Sequence, residues 1–283
     1  MALSNPVYDT QGKRVLVLDE MESSVAKLSK DMRKAAATIS STEARFLVDA
    51  YYQMQDRRIR SNNQLRQMPD EPHEVLGWLA EQSTILENNV KGALDFYSKS
   101  HPIGERIRTV VGVGPVIAAG LLAHIDIHKA KTAGALWKYA GLDPSTQWKK
   151  GQKRPWNAAL KVLCWKLGES FVKVSGNKND VYGKIYKQRK ELETQRNESG
   201  EFAEQAKAKL EKFNIGKTTD AYKAYSIGKL PPAHIHSRAT RFAVKLFLSH
   251  LQEVWWKHEF HTDPPAPYAM VHQGHAHKIE PPF

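Results

Sequence analysis

Between Ser145 and Trp156 the chain reads STQWKKGQKRPW, in which Lys149, Lys150, Lys153 and Arg154 alternate with the indoles of Trp148 and Trp156. Cations at this density suit phosphate oxygens, and flat rings suit an unpaired base or a sugar. The alternative use of both rings is to anchor the loop on a core. Lys161 continues the basic series into the helix that follows. Upstream, Gly112-Val113-Gly114 sets two glycines around one apolar residue, directly before Pro115. Glycine permits positive φ and close backbone approach, and proline is harmless in a first helical turn. Val113 would plug a core while exposed N–H groups and the positive end of the next helix meet a phosphate oxygen. A third basic group lies far downstream, where Arg238, Arg241 and Lys245 share one face of a helix with Ser249 and Gln252.

Other reactive side chains carry less. Ser145 is the candidate nucleophile, but no acid and base set accompanies it. His234 and His236, His258 and His261, and His272, His275 and His277 fall close together without a cysteine or carboxylate at zinc-ligand spacing. No metal and no other cofactor is expected, and the tail histidines are read as hydrogen-bonding groups at an interface. His250 lies on the apolar side of its helix and reads as a satisfied core residue. Cys164 sits in the apolar run from Leu160 to Leu167 and reads as a buried, inert thiol. A single cysteine makes no internal disulfide, which fits a reducing compartment.

Charge is unevenly placed. The formal net charge is +12 over 283 residues, yet residues 145–190 alone hold 12 Lys and Arg against two acids. The rest of the chain is close to balanced. A concentrated excess reads as a site for a polyanion, the alternative being a solvated lysine-rich face. A hydrophobic content of 41% and seven Trp exclude wholesale disorder. No apolar run reaches the roughly 20 residues of a membrane helix, and the first residues lack the layout of a signal peptide. A cytoplasmic location without membrane contact is therefore expected.

The elements that must position these groups are helical. After a short strand pattern at Arg14–Asp19, amphipathic helices are predicted from about Ser41 to Met68 and from His73 to Ser100, parted by Pro69 and Pro72. A short helix over Pro102–Val110, the glycine turn and a helix over Pro115–His124 make a helix hairpin. Further helices are predicted at Leu136–Ala140, Asn157–Val174 and His236–His258. The charged stretch from Val181 to Asn214 reads as a protruding helical hairpin or a flexible segment, and Ile215–Pro232 as a linker. The expected fold is mainly α, a long antiparallel helical pair followed by a helix-hairpin-helix-type domain. The expected division is an N-terminal helical or coiled-coil region at 1–100, the hairpin domain at 101–175, a charged insertion and linker at 176–232, and a C-terminal helix with a Pro/His-rich tail at 233–283.

The run from Arg106 to Ile125, with its GVGP, and Trp137–Pro144, with its YAGLDP, followed by a basic loop entering a helix, resembles a known family. It is similar to the C-terminal helix-hairpin-helix domain of the insertion-sequence transposases of the IS-one-ten group, the RNA-guided recombinases. The likeness covers roughly residues 74–175, the long helices resembling that family's coiled-coil segment. It implies a domain that grips nucleic acid, a structured RNA as an alternative partner to DNA, and an origin on a phage or other mobile element. Family members carry a RuvC-like nuclease domain with four carboxylates and a nucleophilic serine after the AGL-P turn. Here Lys149-Lys150-Gly151 stands where the family's serine-glycine falls, and Ser145 lies a few positions early. The expectation is a duplex-DNA backbone binder of transposase ancestry without catalysis. The alternatives are an active recombinase or nuclease of that family and a homo-oligomeric scaffold joined through the N-terminal helices.

Overall fold

The computed structural model describes residues 25–68, 74–265 and 279–283, and the backbone of two short strands at 7–8 and 14–15. Asp19, Pro69, Pro72, His272, His275 and His277 lie outside the described residues. The architecture is mainly helical. Strands β1 (Val7–Tyr8) and β2 (Arg14–Val15) pair antiparallel, Val7 opposite Val15. Among the described residues no helix is long and apolar enough to cross a membrane.

Helix α1 (Lys30–Ala35) leads into α2 (Ser41–Arg66), which opens on a capping box. Ser40 accepts from the Glu43 N–H while the Glu43 carboxylate accepts from the Ser40 N–H at 2.7 Å. Helix α3 (Glu74–Ser100) packs beside α2. Val48 and Tyr51 meet Val90 and Leu94 at one end, and Arg58 pairs with the buried Glu87 farther along, so the two helices run antiparallel.

Helix α4 (Pro102–Ile107) and α5 (Pro115–His124) enclose the glycine turn. Eight of the ten residues of α5 are buried. A helix apolar all round belongs in a core, and α5 touches α2 and α3 through Val116 and Ala119 while Ala118, Leu121 and Leu122 join the main core. That core is completed by α6 (Ala133–Tyr139), α7 (Ala158–Val174), α8 (Tyr182–Glu198) and α11 (Pro232–Phe260). Leu167, Phe171, Tyr182, Phe247 and Leu248 form its centre, each fully buried.

The charged stretch does not protrude. Helix α8 lies on α11, where the Tyr182 hydroxyl meets His250 Nδ1 at 2.7 Å and the Tyr186 hydroxyl meets His236 Nδ1 at 2.8 Å. Its polar composition hides a face that carries Tyr182, Tyr186 and the buried Glu193. The predicted linker also has structure. Helices α9 (Ala203–Lys212) and α10 (Asp220–Ser226) fold around a small cluster of Phe202, Ala206, Tyr225, Leu230 and Ile235. Helix α11 starts at Pro232 rather than His236, because Pro231 and Pro232 fit a helix start. At the C-terminus, Phe283 packs on Phe247, and the Ile279 carbonyl lies 2.8 Å from His250 Nε2. His250 is thus a satisfied core histidine. Cys164 is 1% exposed, and burial pushes its thiol up to about 12.

Candidate nucleic-acid interface

The basic loop leaves α6 through a turn at Gly141, whose φ of +66° is the left-handed conformation that favours glycine. A Cβ there would stand 2.8 Å from the Trp156 ring, so the indole sits directly on the glycine backbone. The loop re-enters the fold at Asn157, which caps α7 by accepting from the Leu160 N–H at 3.0 Å. The Asn157 N–H donates to the Tyr139 carbonyl at 2.9 Å, and its side-chain amide donates to the Tyr139 hydroxyl at 2.9 Å. Both ends of the loop are therefore tied to the end of α6.

Within the loop the rings and cations interleave. Trp148 and Trp156 meet edge to face at 6.2 Å, Arg154 lies 5.6 Å over Trp148, and the Lys161 ammonium lies 4.2 Å over Trp156. The Trp148 N–H donates to the Gln152 carbonyl at 2.8 Å. Both indoles thus hold the loop in shape. Among the described residues, Lys149, Lys150, Lys153 and Arg154 have no carboxylate within ion-pair distance, and all four are exposed.

Two further cations close on this loop. Partial desolvation first, and then the neighbouring Arg154 and Arg241, lower the Lys161 ammonium below its usual value. Arg154 of the loop, Lys161 of α7 and Arg241 of α11 therefore lie near enough to repel one another, and such a grouping attracts a polyanion. Lys245 is more enclosed. Its ammonium lies 4.0 Å over Trp137, and desolvation lowers it although Asp143 pulls the other way. A shallow cleft of about 510 Å³ between Tyr139, Lys153, Arg154 and Trp156 opens beside the cluster.

Ser145 is the first residue after the turn and is held by Asp143. Its N–H and its hydroxyl donate to Asp143 Oδ1 at 2.9 and 2.8 Å, and Thr146 donates to Oδ2 at 3.2 Å. The backbone and hydroxyl of Ser145 are the largest causes that lower the Asp143 carboxyl. A carboxylate held low is a weak general base, so the pair is arranged as a turn rather than as an activated nucleophile.

The glycine corner departs from expectation at one of its two glycines. Gly112 has φ +96°, and a Cβ on it would press Phe171 at 3.1 Å and Val174 at 3.2 Å. Gly114 has φ −81°, caps α5 without strain and has open space where a Cβ would be. Positive φ is thus required at Gly112 alone. Val113 is 4% exposed and plugs the main core. Among the described residues, the N–H groups of Gly112 and Gly114 have no acceptor.

This corner does not meet the basic loop. Ser170, near the end of α7, donates to the Gly112 carbonyl at 2.6 Å, whereas Lys161 is in the first turn. The two features stand roughly 13 Å apart along α7 at 1.5 Å per residue. The corner opens instead on a groove of about 460 Å³ between α2, α5 and α7, which also receives Lys91, Trp165, Lys166 and Lys173. None of these four was picked out in the sequence. Lys91 comes from α3, which no local pattern links to the corner. Trp165 and Lys166 sit in the run from Leu160 to Leu167, whose apolar residues read as core.

The stripe on α11 divides in the same way. Arg241 is exposed and joins the loop cluster, but Arg238 does not. Its Nε donates to Glu193 at 2.7 Å, and its guanidinium covers the Phe202 ring at 4.6 Å. Gln252 is 3% exposed and donates to the carbonyls of Ala130 and Lys131. Arg238 and Gln252 are therefore structural, because α8 and the α5–α6 connection cover the parts of the stripe they occupy. Among the described residues no three His, Cys, Asp or Glu side chains are grouped to hold a metal ion.

No curated protein and no solved structure matches the chain. Residues 104–155, from α4 through the glycine corner, α6 and the basic loop, match the family model of the Transposase IS116/IS110/IS902 family, a similarity that supports transposase ancestry.

Proposed function

We propose that the chain binds the sugar–phosphate backbone of duplex DNA through the loop end of α7. Lys149, Lys150, Lys153, Arg154, Lys161 and Arg241 neutralise successive phosphates, and the Trp148 and Trp156 rings hold the loop that carries them. Lys245 flanks this surface from α11. The observation that supports this reading most is that, among the described residues, the four exposed loop cations Lys149, Lys150, Lys153 and Arg154 have no carboxylate in ion-pair distance. Contacts of this kind carry no base readout, so binding is sequence-tolerant and steeply salt-dependent. The transposase-like segment supplies the corner and the loop. The surrounding α7 and α11 supply Lys161 and Arg241.

The binding is non-catalytic in this reading, since the Ser145 hydroxyl is spent on Asp143. Fluorescence anisotropy with labelled duplex DNA and with a structured RNA of equal charge, over a range of salt, tests it. Tighter binding of the duplex with a steep salt slope is expected. Equal affinity at all salt concentrations would overturn it, and preference for the RNA would move the partner to that polymer. One observation favours a second reading, an active recombinase. The Ser145 hydroxyl and the Asp143 carboxylate lie within hydrogen-bond distance in a transposase-like segment. Cleavage of supercoiled DNA that Ser145→Ala abolishes would establish it.

A further inference from the structure

The groove at the other end of α7 has a composition that a duplex backbone alone does not use. Trp165 is 62% exposed in the middle of α7, on the solvent side that also exposes Val162. Tyr52 faces the same groove with the Lys166 ammonium 4.1 Å over its ring, and Lys91 and Lys173 come from α3 and the end of α7. Among the described residues these three lysines have no carboxylate in ion-pair distance. Among the described residues Glu169 is the one carboxylate lining the groove, and it lies 3.9 Å from His236. Positive charge therefore dominates beside the exposed indole, with the Lys166 ammonium 5.8 Å from the centre of the Trp165 ring.

We infer that this groove is a second nucleic-acid subsite that takes an unpaired nucleotide, its base stacked on Trp165 and its phosphates held by Lys91, Lys166 and Lys173. The inference rests on the proposed DNA-binding reading and extends it to a second place and a second substrate feature. An indole ring flanked by ammonium groups is the pairing that single-stranded segments require, because every base has a face to stack and every linkage a phosphate. A paired duplex presents only the phosphates. The geometry also suits the size of the ligand. Trp165 stands five residues before Ser170, which touches the glycine corner, and that is roughly 7.5 Å along the helix. A strand with its base on Trp165 thus brings a neighbouring phosphate beside the open N–H groups of Gly112 and Gly114. Glu169, one turn beyond Trp165 on the same face, is an acceptor for an exocyclic amino group of the stacked base. The loop cluster lies on the same helix, so one duplex carrying a bulged or frayed nucleotide can reach both surfaces.

The test uses the full chain and three labelled DNAs: a blunt duplex, the same duplex with one bulged 2-aminopurine, and the same with a short single-stranded end. The wild-type chain is expected to bind the bulged and tailed forms at least 5-fold more tightly than the blunt duplex, with the 2-aminopurine fluorescence quenched by stacking. Trp165→Ala should remove both the preference and the quenching while leaving blunt-duplex affinity within 2-fold. Trp165→Phe should retain part of each. Lys153→Ala with Arg154→Ala should weaken all three DNAs alike and spare the preference. Unchanged preference and quenching in Trp165→Ala would overturn the subsite, as would wild-type binding of all three DNAs alike. If the wild-type chain binds none of them, the DNA-binding reading itself falls, and the subsite with it. Unaltered thermal unfolding of Trp165→Ala is expected from its exposure and separates loss of the face from loss of the fold.

Discussion

Neutralising the loop gives the strongest test of the interface, because its effect can be worked out before the measurement. The variant Lys149→Ala, Lys150→Ala, Lys153→Ala, Arg154→Ala removes four exposed cations that have no carboxylate partner among the described residues. Each cation that neutralises a phosphate contributes about 0.9 to the slope of log affinity against log salt. With Lys161 and Arg241 in place, the wild-type slope should be about −5 and the variant's about −2. Between 50 and 200 mM salt that difference means the wild-type affinity falls roughly 100-fold further than the variant's. The assay is anisotropy of a labelled 20-mer duplex, titrated at five salt concentrations. Two controls guard the inference. Far-ultraviolet circular dichroism should be unchanged, since none of the four side chains packs in the core. Arg238→Ala removes one charge from the α11 stripe, one paired with Glu193, and should leave the slope within about 0.5 of wild type. A slope that shifts by less than about 1 in the loop variant, or as much in Arg238→Ala, would refute the assignment of these charges.

Arg238→Ala should instead cost stability, about 1–3 kcal/mol by chemical denaturation, because Glu193 is 1% exposed and keeps only Arg189 and Arg196. Burial alone would raise Glu193, but Arg238 and Arg189 outweigh it and hold the folded carboxyl below its ordinary 4.5. A depressed carboxyl contributes stability that is complete above pH 4.5 and is lost as pH falls through the folded value. Glu193→Gln should therefore flatten the acid side of the stability curve, and an unchanged acid limb would contradict the pairing. The two glycines of the corner should separate cleanly in thermal melts. Gly112→Ala forces a left-handed alanine against Phe171 and Val174 and should cost about 2 kcal/mol or more, whereas Gly114→Ala should cost about 1 kcal/mol at most. Ser145→Ala should leave DNA affinity unchanged within about 2-fold, because its hydroxyl is occupied by Asp143 and not by a partner.

What the sequence made legible follows from the range over which each signal acts. Helix starts were readable because caps are local: Pro115 at the head of α5 and Asn157 at the head of α7 stand where the pattern put them. The cap of α2 is Ser40, since the reciprocal bond to Glu43 requires that spacing. The basic loop was readable because its charges are consecutive. The pairing of Arg238 was not legible because its partner Glu193 is 45 residues away, on a helix whose polar composition suggested solvent. The same blindness hid Tyr182 and Tyr186, whose hydroxyls find His250 and His236 on α11. A helix that looks polar all round can bury one face when its hydroxyls and carboxylates find partners across the interface, and periodicity does not reveal partners.

The division of charge along α7 bears on how the chain would work. One helix carries the loop cluster at its start, Trp165 and Lys166 at its middle, and the contact with the glycine corner near its end. The family-model match ends at residue 155, before α7 begins, so the matched segment contains the corner and the loop but not the helix that spaces them. Because α7 is rigidly packed through Leu160, Leu163, Leu167 and Phe171, the separation of the two surfaces is set by the core and not by loop motion. A partner that touches both must itself extend roughly 13 Å or more. That is about four base-pair steps at 3.4 Å each, so oligonucleotides much shorter than this should lose one surface altogether. Affinity measured against duplex length should then rise in a step once both ends of α7 are reached. Two independent patches would give a smooth increase.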